Sequence, residues 1–311
     1  MKTVSKTLLG LMVAASTTTV YAKDLVIGIT QNNVGVDSYQ TTYEKAFKEA
    51  AANTEGVDTV VLDAGGDVAR QIAQMQDLIQ QKVDVIIIWP TNGKAVVPVI
   101  RKAKQAGIPV VVTNSNVADE GQQFIASFSG PNNVKQGAYS AEMMCDALDN
   151  KGQIVQISGQ PGYTTAIERQ QGFEVRLAEV CPDVKILETQ PGDWNREKSQ
   201  RVMENFLTKY DKIDGVYSGD DNMGVGALNA AKAAGRKGIA FIGATNFAVG
   251  YEAMGRDEYW GSVYQSPVDD AKNALATAIA IANGEDVPKL NYFDTPKITQ
   301  DNMSQFTKPV F

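Results

Sequence analysis

The chain has 311 residues, 43% of them hydrophobic, with 29 Lys and Arg against 36 Asp and Glu, two cysteines and no histidine. The acidic balance disfavours nucleic-acid and anionic-membrane partners, which call for basic patches. The missing histidine excludes Ser-His-Asp and Cys-His catalytic sets and HExxH zinc sites, and two cysteines are too few for a disulfide-framework scaffold.

Residues 1–22, MKTVSKTLLGLMVAASTTTVYA, have the three-part layout of a secretory signal. Lys2 and Lys6 precede an apolar stretch over 8–15, a polar run follows, and Val20-Tyr21-Ala22 offers small residues for cleavage after Ala22. The apolar stretch is about half the ~20 residues a membrane-spanning helix needs. Cleavage would leave 289 residues; losing Lys2 and Lys6 leaves 27 basic against 36 acidic groups, a net charge of −9. No lipobox cysteine follows the apolar stretch, so the expected destination is a Gram-negative periplasm, as a freely diffusing protein. A mature chain of this length suits two lobes better than one core.

Strands and helices then alternate. Strands are predicted at 25–29, 57–62, 85–89 and 109–112, and again at 154–158, 184–188, 215–218, 239–243 and 261–264. Unbroken apolar runs such as VDVIIIW and IPVVVT suit strands buried on both faces of a parallel sheet. Val68, Ile72, Met75 and Ile79 recur at helical spacing and form one apolar stripe, which makes Met75 a core residue. Ser266-Pro267-Val268-Asp269 reads as a helix start, and Gly284 as the stop of a helix over about 267–283. The pattern predicts an α/β protein of two Rossmann-like lobes with parallel central sheets, a hinge of short segments and ligands at the carboxyl ends of the strands. The lobes are expected at 24–130 plus 266–294 and at 131–265 plus 295–311.

Two glycine-rich stretches fail as phosphate loops. Gly219-Asp220-Asp221-Asn222-Met223-Gly224-Val225-Gly226 lacks the G-x-G-x-x-G order and sets two acids where a phosphate would sit, and Asp63-Ala64-Gly65-Gly66-Asp67 fails for the same reason. The loops after the strands instead carry planar polar groups and aromatics: Gln31 to Gln40, Thr113 to Asn116, Gly159 to Tyr163 with Glu168-Arg169, Gln190 to Trp194, Gly219 to Asp221, Ala244 to Asn246 and Tyr264-Gln265. Asn, Gln, Asp and Arg can each grip vicinal hydroxyls, and Tyr39 and Trp194 can cover the C–H faces of a ring. Cys145 and Cys181 can pair in an oxidising compartment, or pack as two buried thiols.

Over essentially the whole mature chain the sequence resembles the periplasmic sugar-binding proteins of the ribose-binding type, carriers for ABC importers. The resemblance is carried by Gln31-Asn32-Asn33, Trp89-Pro90-Thr91, Ala106-Gly107-Ile108-Pro109-Val110, Glu168-Arg169-Gln170-Gln171-Gly172-Phe173, Gln190-Pro191-Gly192-Asp193-Trp194-Asn195-Arg196 and Asp220-Asp221-Asn222-Met223-Gly224. It implies a three-segment hinge and a sugar enclosed between lobes. It also implies ligand contacts from Asn33, Tyr39, Asn114, Arg169, Trp194, Asp220, Thr245, Asn246 and Gln265. Asn114-Ser115 stands where the family often has Asp-Arg, Asp220 stands where ribose binders have Asn, and the loop over 34–38 is longer. These departures point away from ribose itself, towards another monosaccharide, a polyol or an inositol, and Asp220 would also tolerate an amino sugar.

The implied mechanism is closure favoured by a ligand that touches both lobes. The protein is expected to be a monomer without catalytic residues, metal or cofactor, whose partners are the ligand and an ABC permease, with a chemoreceptor or sensor kinase as the alternative. A carbohydrate-active enzyme is the remote rival, since Asp220 and Asp221 could form a carboxylate pair. Arg169→Ala is expected to abolish binding while leaving the fold intact.

Overall fold

The computed structural model describes residues 24–311; the expected signal segment lies outside them. The first lobe begins with β1 (Leu25–Gln31), α1 (Ser38–Ala52), β2 (Val57–Asp63), α2 (Val68–Gln81), β3 (Val85–Ile88), α3 (Val97–Gln105), β4 (Val110–Thr113) and β5 (Ser127–Pro131). The second contains α4 (Asn133–Ala147), β6 (Lys151–Ser158), α5 (Thr164–Val180), β7 (Asp183–Pro191), α6 (Arg196–Lys209), β8 (Gly215–Ser218), α7 (Asp221–Ala233), β9 (Ala240–Ile242), α8 (Ala248–Gly255) and β10 (Gly261–Val263). The chain then returns through α9 (Pro267–Ala282) and β11 (Leu290–Phe293) to the first sheet, and ends after β12 (Lys297–Thr299) in the second.

Each sheet has six strands, ordered β11-β5-β4-β3-β1-β2 and β12-β10-β9-β8-β6-β7. All neighbouring strands run parallel except β12, which pairs antiparallel with β10. β3 and β4 are interior strands, and every residue of VIII and VVVT is buried, as a strand covered by helices on both faces requires. Met75 is buried in the first lobe's core, with Ile72 and Ile79 packed at its edge.

Three strands were not expected from the sequence. β5 reads SFSGP and has no apolar run or alternation, so its pairing with β4 and β11 is a tertiary outcome. β11 is a half-exposed edge strand, and β12 has only three residues. The chain crosses between sheets three times, at residue 132, at 264–266 and at 294–296, which makes the three-segment hinge. Cys145 and Cys181 are disulfide-bonded with Cα atoms 5.8 Å apart, tying the far ends of α4 and α5 together.

Because the strands are parallel, their carboxyl ends and the amino ends of the following helices share one edge in each lobe. The two edges face each other across the hinge, so backbone amides and strand-end loops are already aimed at the cleft before any side chain is considered.

Candidate functional site

The lobes face each other across a cavity of about 40 Å³. Every residue lining it follows the carboxyl end of a strand. Asp37, Tyr39 and Gln40 come after β1, Trp89 after β3 and Asn114 after β4. From the second lobe come Tyr163, Thr165 and Arg169 after β6, Trp194 after β7, Asp220 after β8, Thr245 and Phe247 after β9, and Gln265 after β10.

Arg169 is placed by close helix packing. A Cβ on Gly137 of α4 would lie 2.0 Å from the Arg169 carbonyl, and one on Gly172 of α5 would lie 2.0 Å from the Val134 carbonyl. The missing side chains let the two backbones touch, which holds Arg169 in the wall at 3% exposure. Its Nε donates to Gln136 Oε1 (2.9 Å), Nη1 to the Gly219 carbonyl (2.7 Å) and Thr245 Oγ1 (3.0 Å), and Nη2 to Gln265 Oε1 (2.8 Å). Four of its five N–H groups are thus taken by uncharged oxygens, which leaves one hydrogen on Nη2. Burial pulls the guanidinium below its usual pKa, opposed by Tyr217 and Asp220.

Two carboxylates face the same space. Asp37 is the N-cap of α1, with Oδ1 accepting from the Gln40 amide (2.9 Å). Burial pushes its pKa up to about 6, against the pull of the Gln40 and Tyr39 amides. Asp220 is the N-cap of α7, with Oδ1 accepting from the Met223 amide (2.7 Å). Burial pushes it up to about 7, the Met223 amide pulls it down and the charge of Asp37 raises it further. Asp221 turns the other way: its Oδ2 accepts from the Phe247 amide (2.9 Å) and the Ser262 hydroxyl (2.8 Å) in the second lobe's interior. The adjacent acids therefore do not face one substrate.

The aromatic walls come from both lobes. Tyr39 and Trp89 meet edge to face at 6.1 Å, and Tyr163 and Trp194 at 5.8 Å. The Trp194 ring lies over Gly159, where a Cβ would fall 2.1 Å from the indole, so a side chain there would expel it. Its indole N–H is buried and has no hydrogen-bond partner among the described residues. The lobes are also latched together. Tyr163 accepts from Asn32 Nδ2 (2.9 Å) and from Trp89 Nε1, and the Thr165 amide donates to Ser115 Oγ (3.2 Å).

Left-handed backbone gathers at this edge. Asn114 (φ 60°), Asp193 (54°), Trp194 (61°), Thr245 (87°) and Asn246 (58°) all lie in cleft loops. For a β-branched residue such as Thr245 this conformation is strained, at about 1–3 kcal/mol. It turns Oγ1 onto Arg169.

Seven of the nine ligand contacts implied by the sequence line the cavity; Asn33 and Asn246 do not. The loop before α1 carries the chain past Asn33, whose amide bonds the neighbouring Asn32 side chain (2.8 Å), and sets Asp37 and Gln40 in the wall instead. Asn246 is fully buried, its amide donating to Ser262 Oγ (3.1 Å). Sequence reasoning missed Asp37, Gln40, Trp89, Tyr163, Thr165 and Phe247. The signal that could have found Asp37 is its position as an acidic cap ahead of an aromatic-rich helix.

The model of the periplasmic binding protein domain matches residues 27–286. The chain is 32% identical to the xylitol-binding protein of Mycolicibacterium smegmatis over 286 residues, 92% of this chain and 77% of that one. It is 28% identical to the ribose import binding protein of Escherichia coli over 266 residues, 86% of this chain and 87% of that one. Among solved structures it resembles an ABC transporter solute-binding protein from Bacillus halodurans with bound myo-inositol, with a TM-score of 0.83 and 27% identity, covering 91% and 96% of the two chains. Matched along most of its length, and with two α/β lobes facing one cavity, this chain belongs to the periplasmic binding protein family, which includes sugar-binding proteins of ABC importers.

Proposed function

We propose that the mature protein begins after Ala22, works in the periplasm as a monomer, encloses one monosaccharide, sugar alcohol or inositol, and presents it to an ABC permease. The observation that carries the reading is the cavity itself. Planar hydrogen-bonding groups and aromatic faces from both lobes converge on one space at the strand ends. The relatives bind a pentitol and a pentose and the solved neighbour holds a cyclitol, by their names, which keeps the ligand among small polyhydroxy molecules.

Asn114, Arg169, Asp220, Thr245 and Gln265 supply the polar contacts, and Tyr39 and Trp194 the ring faces. The lobes, 24–130 with 266–294 and 131–265 with 295–311, move as two bodies about the hinge. A ligand bonded to both favours the closed arrangement by its differential affinity. A micromolar carrier needs about −8 kcal/mol. A few charge-assisted bonds at about 1.5–3 kcal/mol each supply that before ordering costs.

A thermal-shift screen over pentoses, hexoses, polyols and inositols, followed by small-angle scattering, tests the proposal. A binder should raise the melting temperature and contract the molecule. Binding without contraction would overturn closure, and no shift with any member would overturn the ligand class.

A further inference from the structure

We propose that the ligand carries a protonated amine on its polyol frame, as an amino sugar or aminocyclitol does, held between Asp37 of the first lobe and Asp220 of the second. The inference rests on the sugar-or-polyol reading above and narrows it.

The charge balance of the cavity is the first argument. Its lining has two carboxylates and a single cation, Arg169. That cation is largely spent on the protein, with four of its N–H groups bonded to Gln136, Gly219, Thr245 and Gln265. Each carboxylate uses its Oδ1 on a backbone amide at a helix start, and no side-chain cation is hydrogen-bonded to either among the described residues.

The second argument is where the two carboxylates come from. They stand on opposite lobes and line one cavity, so closure brings like charges into the same space, where Asp37 raises the pKa of Asp220 while Arg169 and Arg196 lower it. An ammonium group has three donors and no acceptor. Set between the two carboxyl groups, it cancels their repulsion and ties lobe to lobe, and so rewards the closed state specifically. A neutral hydroxyl can donate to one carboxylate but leaves the repulsion in place.

The walls fit the same ligand. Tyr39, Trp89, Tyr163 and Trp194 line the cavity, and aromatic rings attract a desolvated cation placed over them. The unpartnered Trp194 N–H and the last Arg169 hydrogen remain for the polyol oxygens.

The test is calorimetry at pH 7.5 with matched pairs: D-glucose and D-glucosamine, D-galactose and D-galactosamine, scyllo-inositol and scyllo-inosamine. At least one amine should bind about tenfold or more tighter than its neutral parent. Asp220→Asn, which keeps a capping side chain at the start of α7, and Asp37→Asn should each erase most of that preference. If every neutral parent that binds does so as tightly as its amine, or the preference survives both substitutions, the inference is wrong and the polyol reading stands. If no member binds, both are overturned.

Discussion

Asp270 of the first lobe and Arg169 of the second are both buried beside the hinge, one as an acceptor and the other as a donor. In the first lobe Asp270, near the start of α9, accepts from Asn114 Nδ2 (2.6 Å), the Tyr39 hydroxyl (2.9 Å) and the Thr113 hydroxyl (3.4 Å). In the second lobe Arg169 donates to four uncharged oxygens. Neither has a direct counter-ion among the described residues. Instead Arg169 bonds Gln265 Oε1 (2.8 Å), Gln265 Nε2 donates to the Tyr39 hydroxyl (2.7 Å), and Tyr39 donates to Asp270. Cation and anion are joined through two polar side chains that bridge the hinge, where each bond polarises the next. Each lobe thus satisfies its own buried group from within, and the bond from Gln265 to Tyr39 ties the two cradles across the hinge.

Breaking the cradle should have the largest effect. Arg169→Ala removes a donor from four oxygens in the wall; Gln265 Oε1 keeps its bond from Gln136 Nε2 (2.9 Å), the other three lose their Arg169 donor, and each orphaned polar group costs about 1–3 kcal/mol. This departs from the sequence-based expectation that the fold stays intact. Urea unfolding should show a loss of about 3 kcal/mol or more, the scale of three orphaned acceptors, together with at least about a thousandfold loss of ligand affinity. Unfolding at the wild-type midpoint would mean that the cradle stands without its arginine.

The anion of the first lobe should show itself through pH. Burial pushes the Asp270 carboxyl from 3.8 up to about 7, despite the bonds from Asn114, Tyr39 and Thr113, and the charge of Asp269 adds to the rise. Tyr43, Tyr163, Arg169 and the cleft acids Asp37 and Asp220 are further titratable groups in this region. A raised pKa means that the folded state holds a proton the unfolded state has released. The stabilisation is then complete below about pH 4 and is lost as pH rises through about 7. Asp220, at about 7, and Asp37, at about 6, act in the same direction. The unliganded protein should melt progressively lower from pH 5 to pH 8. In Asp270→Asn the amide oxygen can still accept from Tyr39 and Asn114, and its NH₂ can turn to the Thr113 hydroxyl. That variant should melt higher than the wild type by a margin that grows from pH 5 to pH 8; identical slopes would place the titration elsewhere.

The two lobes were also unequally legible. Unbroken apolar runs disclosed β3 and β4 because both faces of those strands are buried. β5 stayed hidden because SFSGP carries no pattern of its own and becomes a strand only between β4 and β11. In the cleft, the second lobe's Arg169, Trp194 and Asp220 were readable through family resemblance. The first lobe's Asp37 was not, since its role depends on where α1 starts within a polar loop. Thr245 was readable as a loop residue, but its left-handed backbone runs against local preference and is imposed by the packing around Arg169. Local sequence marked the strand ends; which side chain each loop delivers was decided by helix starts and backbone handedness.

The smallest effect should come from a donor that the second lobe leaves open. The Trp194 N–H is buried without a partner among the described residues, and the indole itself is fixed over Gly159 and against Tyr163. An orphaned donor costs the free protein about 1–3 kcal/mol, a cost that a ligand oxygen would remove on binding. Trp194→Phe keeps an aromatic face while deleting that N–H. It trades lost ring area for relief of the orphan, so the melting temperature of the free protein should hold or rise slightly. Ligand affinity should nevertheless fall by about tenfold, the value of about 1.4 kcal/mol. A variant that melts lower and binds unchanged would mean that the indole only packs. The opposite pair of results would show that the second lobe's cradle, complete towards its own oxygens, keeps one hydrogen bond in reserve for what it encloses.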